Sequence, residues 1–284
     1  MLYPTNWQDY ELIDIGNGRK LERFGELITD RPEPAANFKP GLSPTEWKKT
    51  DYFFSEKKGQ KGSWNNDFDD FMISYPFGAM DIRFHLRQTR FKHLGIFPEQ
   101  AENWGFIADR CQTMLEKGVV PKVLNLFAYT GGASLAANLS GADATHVDSV
   151  KSVVTWAREN ADLNKIETIR WIVEDARKFV EKSVRRGDQY HGIIMDPPIH
   201  GLGPKGKHWK LNRDLPDLLE NVIKILHPEH RFFILNTYSP QLPLEELKNM
   251  LKFTPGFPKS FEATTLGLKA NSGLELELGN LVRF

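Results

Sequence analysis

The chain has 284 residues, of which 40% are hydrophobic and 26% charged, the make-up of an ordinary globular protein long enough for one large and one small domain. No run of about 18 apolar residues exists to span a bilayer, and the N-terminus lacks the basic start and apolar run of a secretory signal. A single cysteine, Cys111, excludes an internal disulfide and an all-cysteine metal site, so a soluble cytoplasmic protein without metal or membrane partner is expected; 37 basic against 37 acidic residues lower the expectation of a nucleic-acid partner without removing it, since a local basic patch suffices.

The first third reads as β-rich and irregular. Glu11–Ile15 is a strand ending at the turn signal Gly16-Asn17-Gly18. Arg31-Pro32-Glu33-Pro34 and Lys39–Pro44 break regular structure, and Phe71–Tyr75 and Asp81–Leu86 flank Pro76-Phe77-Gly78 as a hairpin. A small β-rich domain is expected over residues 1–70 and a larger one over 71–284. From Val119 onward short apolar runs alternate with amphipathic stretches. Strands are expected at Val123–Phe127, Ala144–Asp148, Arg170–Val173, His191–Met195 and Phe232–Leu235, with helices at Ala133–Leu139, Val150–Leu163, Ala176–Arg185 and Leu215–Ile225. This rhythm predicts an α/β fold, a doubly wound and mostly parallel sheet, whose ligands bind beyond the carboxyl ends of the strands.

The residues after each strand are therefore the candidates for chemistry. After the first comes Ala128-Tyr129-Thr130-Gly131-Gly132, which lets backbone approach a ligand at a helix N-terminus or simply makes a tight turn. Asp148, ending the second, could accept both hydroxyls of a ribose or cap the next helix; Asp175, after the third, could take an adenine amino group or serve as a cap. The fourth strand runs into Asp196-Pro197-Pro198, where two prolines stiffen the exit. That rigidity would let the Asp196 carboxylate and the Pro197 carbonyl orient an amino group for in-line attack on a methyl sulfonium. The next loop holds His200, Lys205, Lys207, Trp209 and Lys210. Its lysines could meet phosphates and Trp209 could stack on an unpaired base, or the loop is solvated with Trp209 tucked against the domain.

Asn125–Gly132, Val147-Asp148, Glu174-Asp175-Ala176 and Met195–Pro198 together resemble the class I methyltransferases related to the bacterial large-subunit rRNA methyltransferases. Upstream, His93–Trp104 is similar to that family's Thr-Gly-Phe-Phe-x-Asp-Gln-Arg-x-Asn stretch, which closes over the cofactor. The resemblance covers roughly residues 71–240. It implies a seven-stranded Rossmann-like sheet, S-adenosyl-L-methionine as cofactor, and often an rRNA base as acceptor. By match it gives cofactor-pocket roles to Phe97, Gln100, Asn103, Tyr129, Thr130, Gly131, Asp148, Asp175 and Asp196.

Two departures shape the expected chemistry. Members that methylate cytosine C5 carry a nucleophilic cysteine after the fifth strand, where this chain has Leu235-Asn236-Thr237-Tyr238-Ser239-Pro240. Amino-group methyltransferases follow Asp-Pro-Pro with an aromatic that stacks on the flipped base. Ile199 stands there, leaving His200 or Tyr238 as stand-ins. The expectation is an RNA methyltransferase acting on a base nitrogen of rRNA without a covalent cysteine intermediate. Methylation of a protein side chain or small molecule is the alternative enzyme reading, and an RNA-binding assembly factor retaining the cofactor fold is the non-enzymatic one.

Overall fold

A computed structural model describes residues 1–56, 62–202 and 208–284. Two compact units divide the chain: residues 1–101 with 266–278, and residues 102–265 with 279–284.

The first unit contains strands β1 (Tyr10–Gly16), β2 (Arg19–Phe24) and β3 (Leu27–Pro32), the short helix α1 (Pro44–Trp47), strands β4 (Tyr52–Ser55) and β5 (Ser63–Trp64), and the hairpin β6 (Phe71–Phe77) and β7 (Met80–Leu86). β1 to β5 form one sheet in sequence order. Asn17 and Gly18 take left-handed conformations that close the β1–β2 turn. Buried Glu22 accepts from Tyr10 (2.9 Å) and pairs with Arg31 (2.6 Å). Although burial opposes ionisation, the Arg31 and Lys20 charges hold its carboxyl below the ordinary range. The expected boundary near residue 70 falls inside this unit. The physical reason is non-local: the Asp9 carboxylate accepts from both the amide and the hydroxyl of Ser74, at 2.8 and 2.7 Å, and ties the β6–β7 hairpin to the N-terminal segment.

The second unit begins in helix α2 (Ala101–Leu115) and continues through β8 (Lys122–Leu126), α3 (Gly132–Leu139), β9 (Asp143–Asp148), α4 (Lys151–Leu163), β10 (Arg170–Val173), α5 (Ala176–Arg186) and β11 (Gly192–Met195). Next come the hairpin β12 (His200–Leu202) and β13 (His208–Lys210), then α6 (Leu211–Lys224), β14 (Phe232–Thr237), α7 (Leu244–Phe253), and the strands β15 (Glu262–Lys269) and β16 (Glu275–Arg283), of which residues 266–278 count with the first unit. Among the described residues the main sheet has seven strands in the order β10-β9-β8-β11-β14-β16-β15. β8 to β11 and β14 pair in parallel, and β16 runs antiparallel to β14. The central strands are apolar runs rather than alternating ones, because helices cover both faces: Leu124, Leu126, Ile193, Met195, Phe233 and Leu235 are all buried. The chain winds outward from β8 to β10, then returns to place β11 on the other side of β8. Order therefore reverses between β8 and β11, and the carboxyl ends of those strands form the ligand-binding edge of such sheets.

The doubly wound, mostly parallel sheet is the one expected from the sequence. α6 starts four residues earlier than expected, at Leu211 instead of Leu215, because the Asp214 carboxylate reaches back to accept the Lys210 amide at 2.8 Å. Among the described residues no helix is long and apolar enough to cross a membrane.

Each unit holds a neutral histidine, half-buried in the first and buried in the second. His93 in the first and His146 in the second are pushed from the ordinary 6.5 to about 3, by burial first and then by Arg31 and Arg158 respectively. Below about 6.5 the unfolded chain takes up a proton at each that the folded chain refuses until about 3. Their contribution to stability is therefore complete above the unfolded value and is lost as pH falls through that window. We expect the melting temperature to drop steadily below about pH 6.5, and His93→Gln with His146→Gln to flatten the slope. Thermal denaturation followed from neutral pH to about pH 5 checks this; an equally steep decline in the double variant would exclude these histidines as its source.

Candidate functional site

The loop leaving β8 has an unusual backbone. Phe127 (φ 56°) and Tyr129 (φ 50°) are both left-handed, a conformation that costs non-glycine residues roughly 1 kcal/mol or more each and clusters at functional sites. Gly131, at φ 94°, caps α3. Gly132 has a different reason to be glycine: a Cβ there would lie 2.8 Å from the Trp104 indole. The buried Asn160 amide donates to the Thr130 carbonyl at 3.0 Å, anchoring the loop to α4.

Asp148 ends β9 and holds this loop from the other side. One carboxylate oxygen accepts from the Tyr129 amide at 3.0 Å, the other from the Val150 amide at 2.9 Å. Burial lifts its carboxyl above the ordinary value despite donation from the Val150, Tyr129 and Ser149 amides. Asp175, buried after β10, caps α5 by accepting from the Lys178 amide at 3.2 Å, and its second oxygen lies 3.4 Å from Arg177. The two readings of Asp175 are thus compatible: one oxygen caps while the carboxylate also borders a pocket.

That pocket opens at the carboxyl ends of β8 to β11. Its wall includes Phe127, Asp148, Glu174, Asp175, Pro198 and Trp209. Asp196 is half-buried and Pro197 buried where β11 leaves the sheet, while Pro198 is exposed.

The structure sorts the remaining candidates. Tyr129, Thr130 and Gly131 form the loop beside the pocket. Trp209 is 4% exposed, its indole N–H donating to the Pro198 carbonyl at 2.6 Å and its ring 5.1 Å from that of Phe127. Of the two arrangements open to Trp209, the tucked one is present: the indole is a buried side chain of a β-hairpin, and its ring faces the pocket. His200 and Lys210 are exposed on that hairpin, and Tyr238 is half-buried after β14. Lys205 and Lys207 lie outside the described residues. Asn103 is buried on α2 and donates to Asn236 Oδ1 at 2.9 Å. Phe97 and Gln100 belong to the first unit, at the start and end of a 3-10 turn, with the Phe97 ring 5.2 Å from His93.

The pocket residues Phe127 and Arg177, and Asp214 that holds Arg177, were not singled out from the sequence. Phe127 reads as the last residue of a buried strand, and nothing local marks its left-handed turn. Arg177 stacks over the Trp209 ring at 5.6 Å and pairs with Asp214 at 3.2 Å. The only sequence signal for Arg177 and Asp214 is their position next to Asp175 and the lysine-rich loop. Among the described residues no group of three or more His, Cys, Asp or Glu could hold a metal ion.

No protein-family model matches the chain. A ribosomal RNA large subunit methyltransferase K/L of Pseudoalteromonas atlantica is 32% identical over 240 residues, which are 82% of this chain and 31% of that relative. One of the same name from Shewanella frigidimarina is 29% identical over 58% of this chain and 22% of its own length, so the chain spans less than a third of either relative. Among solved structures, the SAM-dependent methyltransferase from Agrobacterium tumefaciens superposes with a TM-score of 0.90 at 33% identity, covering 100% of this chain and 92% of that one. A putative methyltransferase complexed with SAH shares the fold at TM-score 0.73 and 17% identity, over 98% of this chain and 76% of its own.

Proposed function

This chain belongs to the S-adenosylmethionine-dependent methyltransferases, and on that premise we propose that it methylates a base nitrogen of large-subunit rRNA without a covalent cysteine intermediate. The observation that carries the site assignment is the pocket between Asp148 and Pro198, at the reversal of strand order. Its residues fit the cofactor's adenosine. Asp148 offers two carboxylate oxygens for ribose hydroxyls, and its lifted carboxyl gains from any further donor. Phe127 and Trp209 supply apolar ring surface, and Asp175 a carboxylate for an amino group. When bound, the cofactor supplies an electrophilic methyl group on a sulfonium.

The chain's own contribution is orientation. Asp196 and the Pro197 carbonyl sit at a rigid strand exit, where acceptors can align an amino group and draw off its proton. Cys111 supports the non-covalent reading. It is buried on α2, and burial pushes its thiol up to about 12, far from the thiolate that covalent addition to a pyrimidine needs. The rRNA acceptor rests on the names of the K/L relatives, and a cytoplasmic location follows from that acceptor.

The proposal is tested by methyl transfer from labelled S-adenosylmethionine to protein-free large-subunit rRNA. Transfer to protein fractions or small molecules with none to RNA would replace the acceptor. Asp148→Ala should weaken S-adenosylhomocysteine binding by on the order of 2 kcal/mol, read by calorimetry; unchanged affinity would move the ribose contact elsewhere. Asp196→Ala should bind the cofactor normally and lose turnover by roughly a hundredfold or more, so near-normal turnover would remove it from the mechanism. Cys111→Ser should keep methyl transfer, and a folded, cofactor-binding variant without activity would overturn the non-covalent chemistry.

A further inference from the structure

The hairpin β12–β13 does more than edge the pocket. Its Trp209 indole belongs to two structures at once. The ring lines the pocket beside Phe127, with the Arg177 guanidinium 5.6 Å from its centre. The ring nitrogen donates to the carbonyl of Pro198, the last residue of the Asp-Pro-Pro exit, at 2.6 Å. Gly201 pairs with Trp209 across the hairpin, and a Cβ at Gly201 would sit 3.4 Å from Trp209 Cβ and 3.5 Å from Pro198 Cγ. Arg177 is itself fixed by Asp214 at 3.2 Å and Asp175 at 3.4 Å, and Asp214 accepts the Lys210 amide that follows Trp209. The indole is thus clamped on one side by the groups that wall the pocket and on the other by the acceptor segment.

We propose that Trp209 is a positioning residue that couples occupation of the adenosine pocket to the placement of Asp196-Pro197-Pro198. This rests on reading the pocket as the cofactor site. A ligand against the ring shifts or immobilises the indole, and the N–H···O bond carries that change to Pro198. By linkage, the placement of the exit must in turn bias cofactor affinity. A strut of this kind acts mainly on turnover. A small displacement of an aligning group costs far more in the reaction than in ground-state binding.

The test uses S-adenosylhomocysteine as ligand and Trp209→Phe, which keeps an aromatic wall and removes the N–H donor. In 15N-labelled protein, the Trp209 indole resonance is the one missing from W209F. S-adenosylhomocysteine should shift it and slow its exchange with solvent. W209F should hold the ligand within about threefold of wild type, since the ring surface remains, while kcat for rRNA methylation falls about tenfold or more. W209L, which also removes the ring, should lose affinity as well. Should W209L fail to fold, the aromatic-for-aromatic W209F variant decides alone. An indole resonance unmoved by saturating ligand would overturn the coupling. So would a W209F variant whose affinity and kcat fall together, because the indole would then serve only the pocket. Wild type that does not bind S-adenosylhomocysteine at all would overturn the reading of the pocket, and the coupling with it.

Discussion

The Asp148 carboxylate is the interaction on which the rest of the site depends. Its two oxygens join the exit of β9, through the Val150 amide, to the loop leaving β8, through the Tyr129 amide. Tyr129 is left-handed, as is Phe127 two residues earlier, and such a backbone persists only where its surroundings over-determine it. Asp148 supplies part of that determination, the Asn160–Thr130 bond another, and the Gly132–Trp104 contact a third. The loop's shape is then fixed before any ligand arrives, which is what a pocket needs if binding is not to be spent on ordering it.

This arrangement has an electrostatic cost. A half-buried aspartate satisfied, among the described residues, by backbone amides still has its carboxyl lifted by burial, so its charge is less comfortable than in water. A stability-optimised protein would place a positive side chain nearby. Asp175 has such a partner in Arg177, yet among the described residues Asp148's donors are all backbone amides. The difference matches their proposed duties. Asp175 must also hold a helix start, whereas Asp148 gains most when a ligand brings hydroxyl donors to it.

How much of this was legible in the sequence follows from the range over which each feature is determined. Asp148, Asp175 and Asp196 were singled out because a parallel sheet brings the ends of its strands to one edge, so counting strands points to that edge. The αL turn of Phe127 was not legible, since phenylalanine ordinarily favours strands and the loop it opens is held from another strand, by Asp148 through the Tyr129 amide. Nor was it legible that the β6–β7 hairpin is tied to the N-terminal segment by Asp9, 65 residues before Ser74. α2 carries glycine within its first turns (Gly105), and only the context of the second unit makes it helical. The hairpin of Trp209 was hidden for another reason. Strands of three residues on each side of a glycine- and lysine-rich stretch have no periodicity to read.

That hairpin changes what the acceptor side is made of. With Trp209 turned inward and its ring nitrogen spent on Pro198, an incoming base would have to be met by other groups at the exit. His200 is exposed directly after Ile199, and Lys210 is exposed beside it, the two being paired across the open end of the hairpin. A neutral chain thereby gains a local pair of exposed donors beside a rigid Asp-Pro-Pro, in line with charge placement rather than net charge governing encounter with a polyanion. The absence of an aromatic at Ile199 then ceases to be an isolated oddity. The aromatic surface in this segment sits ten residues later, on Trp209, whose ring lines the pocket while His200 and Lys210 stay exposed.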